Sequence, residues 1–438
     1  MMRMGIANAS LLLSLGIVGT CACSSDAIGP ARSAGAGAGG TGQGGAGGGP
    51  RSGDAGGVSS SGSAGTLGTS GAAGNPGLAG NAGSPGGAGN AGSPGGAGSA
   101  GSPGGAGQGN GGAGPLGPHF IGRFDQSKAD APVFAWPGTA IALRFTGTEV
   151  GVTLTDGGTN VFEVVLDGKH TVLTLQAGTK KYALGSGLAA GAHDLLLYRR
   201  TEASFNETTF NGFDVAASAY LPATVPTRRL EVIGDSISAG YGNEGTYPCT
   251  FSAATENHYL SYEALAARAV NAELYTEAWS GIGMLRNYGG DTMNVMPDRY
   301  PRTLPDRATS VWDFGKFVPD AVVINLGTND FSTDDPGAPF QAAYLKFVSD
   351  LRGHYPAARF FLALGPMLSG DSYTKAAAYL KAVIADRASA GDKNLTLLDF
   401  GIQDTNADGL GCDYHPSLKT HQKMADKLQA ALKADLAW

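Results

Sequence analysis

The chain has 438 residues, 71 of them glycine, and a formal net charge of −7. With no long run of lysine or arginine, this balance argues against a nucleic-acid-binding surface. The glycines cluster near the amino end and leave a folded part of about 320 residues, enough for two domains.

Residues 1–23 have the layout of an export signal. Arg3 supplies positive charge, an apolar run extends from Ala7 to Val18, and small residues lead to Cys21 and Cys23. The run is short for a membrane span, which needs about 20 apolar residues. A cysteine in this place resembles a bacterial lipoprotein lipobox, so Cys21 and Cys23 are both candidates for a lipid anchor. Thr20-Cys21-Ala22-Cys23 departs from the usual Leu-small-small-Cys, and an ordinary cleaved signal is the alternative. Residues 24–117 are rich in Gly, Ala, Ser, Asn and Pro. The nonamer G-N-A-G-S-P-G-G-A stands at 80–88 and 89–97, with a close copy at 98–106. Glycine does not recur strictly every third residue, which excludes a collagen helix. A segment with so little apolar surface is expected to stay disordered. As a coil of about 90 residues it spans roughly 50 Å on average, a stalk between an envelope and a folded module. The expectation is an exported, envelope-tethered protein, or otherwise a secreted one, with the lipid as its membrane contact.

Residues 118–222 read as all-β. A-I-A-L-R-F (140–145), V-G-V-T-L (150–154), V-F-E-V-V-L (161–166) and H-D-L-L-L-Y (193–198) alternate or cluster apolar residues, with turns at Asp156-Gly157-Gly158 and Asp167-Gly168. This spacing predicts a β-sandwich or jelly roll, acting as a packing module or contacting carbohydrate. From 228 to 438 the rhythm changes. Strand-like runs at 229–233, 273–278, 320–326, 359–364 and 395–400 alternate with helical patterns at 257–271, 338–353, 373–388 and 417–436. That alternation predicts a three-layer α/β/α domain around a parallel sheet buried on both faces.

Four blocks of the second domain carry chemistry. Gly234-Asp235-Ser236 ends the first strand, Trp279-Ser280-Gly281-Ile282-Gly283 the second, and Gly327-Thr328-Asn329-Asp330 the third. Gly411-Cys412-Asp413-Tyr414-His415-Pro416 precedes the last helix. The carboxyl edge of an open α/β sheet is where ligands bind. Ser236 is the candidate nucleophile and His415 its base. The backbone N–H groups of Ser236 and Gly281 and the side-chain amide of Asn329 are candidate oxyanion donors. Each block alone has a plainer meaning: a turn, a helix cap, a surface histidine. His258 and His421 read as helix-face residues and Trp279 as core. The G-x-S-x-G elbow is absent because position 238 is serine. No metal-ligand spacing and no nucleotide-binding fingerprint is found, so no cofactor is expected. Past residue 117 only Cys249 and Cys412 remain. In an exported protein they are expected to form a disulfide, two buried thiols being the alternative.

The ordered set over 228–438 resembles the SGNH, or GDSL-like, hydrolases. I-G-D-S-I-S-A-G-Y-G-N-E (233–244), T-E-N-H-Y-L-S-Y (255–262), W-S-G-I-G-M-L-R-N-Y (279–288), W-D-F (312–314), I-N-L-G-T-N-D-F-S (324–332) and G-C-D-Y-H-P (411–416) resemble carbohydrate esterase family 2 more closely. That resemblance implies an amino-terminal jelly roll joined to a hydrolase domain. It also implies metal-free removal of O-acetyl groups from plant-type polysaccharides of the acetylxylan or glucomannan kind. The superfamily places an aspartate three residues before the histidine, where this chain has Cys412. A Ser236–His415 dyad is therefore expected, oriented by a backbone carbonyl, with Asp413 as a possible third member. Since the base must be neutral, activity is expected to rise through a pKa of about 6–7. Two rival functions remain at this level: an envelope-anchored glycan-binding protein with a vestigial site, and a lipase-like esterase of longer acyl chains.

Overall fold

A computed structural model of the protein describes residues 112–438. The segment expected to be an export signal, with Cys21 and Cys23, and nearly all of the 24–117 segment lie outside the described residues.

The first domain is an antiparallel sandwich. One sheet has β1 (Gly112–Leu116), β2 (His119–Ile121), β5 (Ala140–Thr146), β7 (Val161–Leu166), β8 (Lys169–Thr174), β10 (Ala192–Arg199) and β12 (Tyr220–Val225). The other has β3 (Phe124–Asp125), β4 (Val133–Phe134), β6 (Glu149–Asp156), β9 (Gly178–Ser186) and β11 (Thr208–Phe213). Strand alternation builds the core between them. Ile141, Leu143 and Phe145 of β5 face Val152 and Leu154 of β6, together with Phe134, Phe162 and Phe210. Full burial of such a side chain contributes about 1.5–3 kcal/mol. Both edges of this domain differ from the sequence expectation. Strand β1 falls inside the segment assigned to the linker, and β12 runs three residues past 222. The pair is held by backbone: Gly112 registers with Val225 and Leu116 with Pro222. Backbone pairing leaves no apolar pattern to read. Gly114 permits the approach, since a Cβ there would lie 2.7 Å from the Ala223 carbonyl oxygen.

The second domain carries a five-stranded parallel sheet in the order β14-β13-β15-β16-β17. Its strands are β13 (Arg228–Gly234), β14 (Ala272–Ala278), β15 (Ala321–Asn325), β16 (Arg359–Leu364) and β17 (Leu395–Asp399). The helices are α1 (Ser236–Ala239), α2 (Tyr262–Ala269), α3 (Met296–Arg299), α4 (Gly337–His354), α5 (Gly370–Ser389) and α6 (Leu418–Leu436). The apolar strand runs divide by parity. Val322, Ile324, Phe360 and Leu362 pack under α4 and α5, whereas Ala321, Val323, Phe361 and Ala363 pack with α2 and α6. Each strand is thus covered on both faces, as the near-continuous apolar runs require. The expected helix at 257–271 is shorter than its pattern. Asn257 caps a 3₁₀ turn over His258–Leu260 by accepting from the Tyr259 N–H, and extended Ser261 separates that turn from α2.

The two domains share a buried ionic seam. Arg123 of the sandwich is fully buried, donates to Glu231 of β13 at 3.1 Å and pairs as an ion with Glu277 of β14 at 2.8 Å. Its guanidinium also donates to the Arg302 carbonyl and lies over the rings of Tyr300 and Trp312. His119 bonds Glu273 at 2.7 Å.

Candidate active site

Strand β13 delivers its last residue, Gly234, to the carboxyl edge of the sheet. A Cβ at 234 would stand 2.2 Å from Ser238 Oγ, so the turn into α1 requires glycine. Asp235 caps α1, its Oδ1 accepting the Ile237 N–H at 3.0 Å. Burial pushes the Asp235 carboxyl up to about 7. This cap fixes Ser236 at the first helical position. Ser236 Oγ lies 2.8 Å from His415 Nε2.

The histidine arrives on a strained turn. Asp413 and Tyr414 both take left-handed backbone, φ 48° and 66°. Such residues cost about 1–3 kcal/mol each and persist only where their surroundings hold them. Here the Cys249–Cys412 disulfide forms, as the cysteine count leads one to expect. The Asp413 N–H donates to the Cys249 carbonyl and the Cys412 N–H to the Gly242 carbonyl. The Asp413 carboxylate accepts from Tyr241 Oη at 2.8 Å and from the Phe251 N–H at 3.0 Å. No hydrogen bond joins this carboxylate to the imidazole, which goes against the possibility that Asp413 completes a triad through its side chain. Its backbone carbonyl instead stands 3.2 Å from His415 Nδ1. A carbonyl only accepts, so this contact assigns the proton to Nδ1 and leaves the Nε2 lone pair facing the serine hydroxyl. The Tyr241 ring stacks on the imidazole at 4.0 Å, and Phe251 stacks behind Tyr241 at 3.8 Å.

Burial pushes the His415 imidazole down to about 4, with hydrogen bonding to the Asp413 carbonyl opposing the shift only in part. This direction runs against the expected rise of activity at about 6–7. His258 and His421, read as helix-face residues, lie on the 3₁₀ turn and on α6; both are fully buried and pushed down to about 3 by the same cause.

The oxyanion side is a turn and an amide. The Ile282 N–H donates to the Trp279 carbonyl at 3.2 Å, Gly281 takes φ 80°, and Ser280 keeps a negative φ. These values define a type II turn with glycine at its third position. Among the described residues, no protein acceptor takes the N–H of Gly281 or of Ser236. Asn329 donates one side-chain N–H to the Ile282 carbonyl at 2.7 Å, which fixes the amide and leaves its second N–H free. Asp330 accepts the N–H groups of Met284, Leu285 and Arg286 at 2.7–3.0 Å and holds the loop beyond the turn. Ser236, Gly281, Asn329 and His415 line one cleft of about 790 Å3, together with Tyr241, Tyr288, Phe331, Met367, Leu368 and Tyr414.

The nucleophile, base and donor positions named from sequence thus meet at one rim. Tyr241 was not singled out, although it sits inside the quoted 233–244 block. Glu202 was not singled out either. It lies in the sandwich, where no motif marks it, yet its carboxylate accepts the Ser280 N–H at 2.6 Å. Among the described residues, no group of three His, Cys, Asp or Glu side chains is arranged to hold a metal ion.

A serine capped onto a short helix at the edge of a doubly covered parallel sheet, bonded to an imidazole from the carboxyl end, defines the GDSL class of hydrolase domains. Residues 232–423 match the GDSL-like Lipase/Acylhydrolase family, and residues 120–224 match Carbohydrate esterase 2 N-terminal. The chain belongs to carbohydrate esterase family 2. Cellulase/esterase CelE of Acetivibrio thermocellus is 45% identical over 323 residues, 73% of this chain. The match spans only 39% of that relative's length. An acetylxylan esterase / glucomannan deacetylase of Cellvibrio japonicus is 32% identical over 341 residues, 72% of this chain and 90% of that protein. The structure of a family two carbohydrate esterase from Clostridium thermocellum in complex with cellohexaose superposes with a TM-score of 0.71 at 44% identity. That superposition covers 74% of this chain and all of the other.

Proposed function

We propose that the protein removes O-acetyl groups from plant-type polysaccharides, acetylated xylan or glucomannan, through a serine acyl-enzyme. The observation that carries this reading is the 2.8 Å contact between Ser236 Oγ and a neutral His415 Nε2 at the head of an open cleft. His415 takes the Ser236 proton as the oxygen attacks the acetyl carbonyl. The N–H groups of Ser236 and Gly281 and the Asn329 amide receive the oxyanion. The imidazolium gives its proton to the departing sugar alcohol. Water, deprotonated by His415, then releases acetate and restores the serine. The Asp413 carbonyl orients the ring, so the machinery is a dyad with a backbone third partner.

Acetate release from acetylated xylan and acetylated glucomannan tests the substrate class, with a nitrophenyl ester series testing the acyl chain. Turnover of both polysaccharides with acetate preferred over butyrate is expected. Preference for butyrate or longer would assign the apolar wall of Phe331, Met367 and Leu368 to a lipase-like esterase. The relative solved with cellohexaose favours a second role for the same cleft, holding an undecorated β-glucan chain. Cello-oligosaccharides are then expected to inhibit ester turnover competitively.

The cell-envelope location is also our reading. The Cys249–Cys412 disulfide suits an oxidising compartment. Fractionation of Cys21→Ala and Cys23→Ala variants tests the anchor: release from the membrane by one of them identifies the lipidated residue. Soluble wild-type protein would reject the anchor.

A further inference from the structure

We infer that the sandwich domain supplies a positioning residue, Glu202, which sets the orientation of the oxyanion donor at Gly281; this rests on the esterase reading above. A type II turn and the commoner type I differ by a rotation of about 150–170° of the central peptide. In the Trp279–Ile282 turn, that central peptide carries the Gly281 N–H. The turn type therefore decides whether this N–H faces the cleft or points away from it. Glycine at 281 permits the type II form but does not enforce it.

The neighbouring bonds enforce it. The Ser280 N–H, one peptide before the donor, is taken by Glu202 Oε2 at 2.6 Å. On the other side, the Gly281 carbonyl accepts the Tyr288 N–H at 2.8 Å. The two bonds bracket the central peptide and hold both of its neighbours. Glu202 is 1% exposed and does not line the cleft, so it acts from behind the turn. Its own placement is tightly built. The Glu202 N–H donates to Glu256 Oε2 at 2.9 Å, and its carbonyl accepts from Arg199 at 3.0 Å. Arg199 in turn donates to the Thr201 and Asn206 carbonyls. This buried network joins the 199–206 segment of the sandwich to the loop after β14. The Arg123 and His119 contacts of the seam reach β13, β14 and the 300–312 segment rather than the oxyanion turn.

Three variants test it, each assayed with 4-nitrophenyl acetate beside Ser236→Ala, with melting temperature recorded. Glu202→Leu removes the acceptor. Glu202→Asp keeps the charge but withdraws the oxygen by one methylene. Glu202→Gln keeps an acceptor oxygen in place without the charge. Loss of an oxyanion donor costs about 10²–10³ in kcat, so misdirecting one is expected to lower kcat about 10- to 100-fold with KM within about threefold. That loss is expected for Leu and Asp, with Gln restoring kcat to within about fivefold of wild type. If Leu does not fold, the Asp and Gln pair decides the question. Wild-type kcat in Asp with a loss in Gln would overturn the proposal, as would equal losses in all folded variants or a change confined to KM. Unchanged kcat in all three, with Ser236→Ala inactive, would overturn it and leave the esterase reading standing. Wild-type turnover no greater than that of Ser236→Ala would overturn both.

Discussion

A neutral imidazole next to a hydroxyl is what the dyad needs, and His415 is kept neutral by its surroundings. Its native pKa of about 4 lies below the ordinary value, so the neutral fraction grows as pH rises through about 4 and is complete well before neutrality. The acid limb of kcat/KM, which reports the free enzyme, is expected near pH 4, with a plateau from about 5.5 to 8. A limb at about 6–7 would show that the ring is not desolvated as the structure has it. The base itself was legible in the His-Pro block before the last helix. Its titration was not, because the packing around the ring, where Tyr241 stacks on it, is made by residues far away in the chain. Asp413→Asn gives a second check. Its carboxylate serves Tyr241 and Phe251, and its carbonyl survives the substitution, so kcat is expected to fall by less than about tenfold. An orienting triad carboxylate would cost about 10⁴. Asn329→Ala is expected to lower kcat by about 10²–10³ with little change in KM.

The element that matters most is the turn from Cys412 to His415. Two successive left-handed residues put the Asp413 carbonyl under the imidazole, and the disulfide ties this turn to the segment around Cys249. Removing both cysteines, as Cys249→Ala with Cys412→Ala, is expected to cost about 2–4 kcal/mol of stability. Activity per folded molecule is also expected to fall, measured at a temperature where circular dichroism shows the variant native. Undiminished activity would mean that the turn holds itself. The cysteine pair could be read from sequence because Cys249 and Cys412 are the two cysteines past residue 117, so each has one obvious partner. The turn could not, since Asp-Tyr carries no left-handed signature comparable to glycine. The same contrast runs through the fold. Strands β13 to β17 were legible to within a residue or two because burial on both faces writes long apolar runs. Strand β1 was invisible because its hold on β12 is a backbone ladder.

Across the whole molecule, the sandwich and the hydrolase domain are one structure rather than a catalyst with an appendage. Arg123 sits fully buried between Glu231 and Glu277, two carboxylates that are buried as well. Truncating one member of such a cluster leaves the others as uncompensated buried charge, a loss of about 3–5 kcal/mol. Arg123→Met is therefore expected to lower the urea midpoint markedly without changing the cleft chemistry of the molecules that remain folded. A midpoint close to wild type would show that the seam is dispensable. None of this coupling was legible in sequence, where the two domains read as separate modules joined near residue 225. Long-range pairs between an arginine in one domain and glutamates on strands of another leave no local pattern.

The central claim is that Ser236 and His415 act as one unit. The most direct measurement compares kcat for acetyl ester hydrolysis in Ser236→Ala, His415→Ala and the double variant. Groups that work together are grossly non-additive, so each single variant is expected to lose about 10⁴ or more and the double variant little beyond that. Independent, additive losses, or Ser236→Ala retaining more than about a tenth of wild-type kcat, would contradict the account.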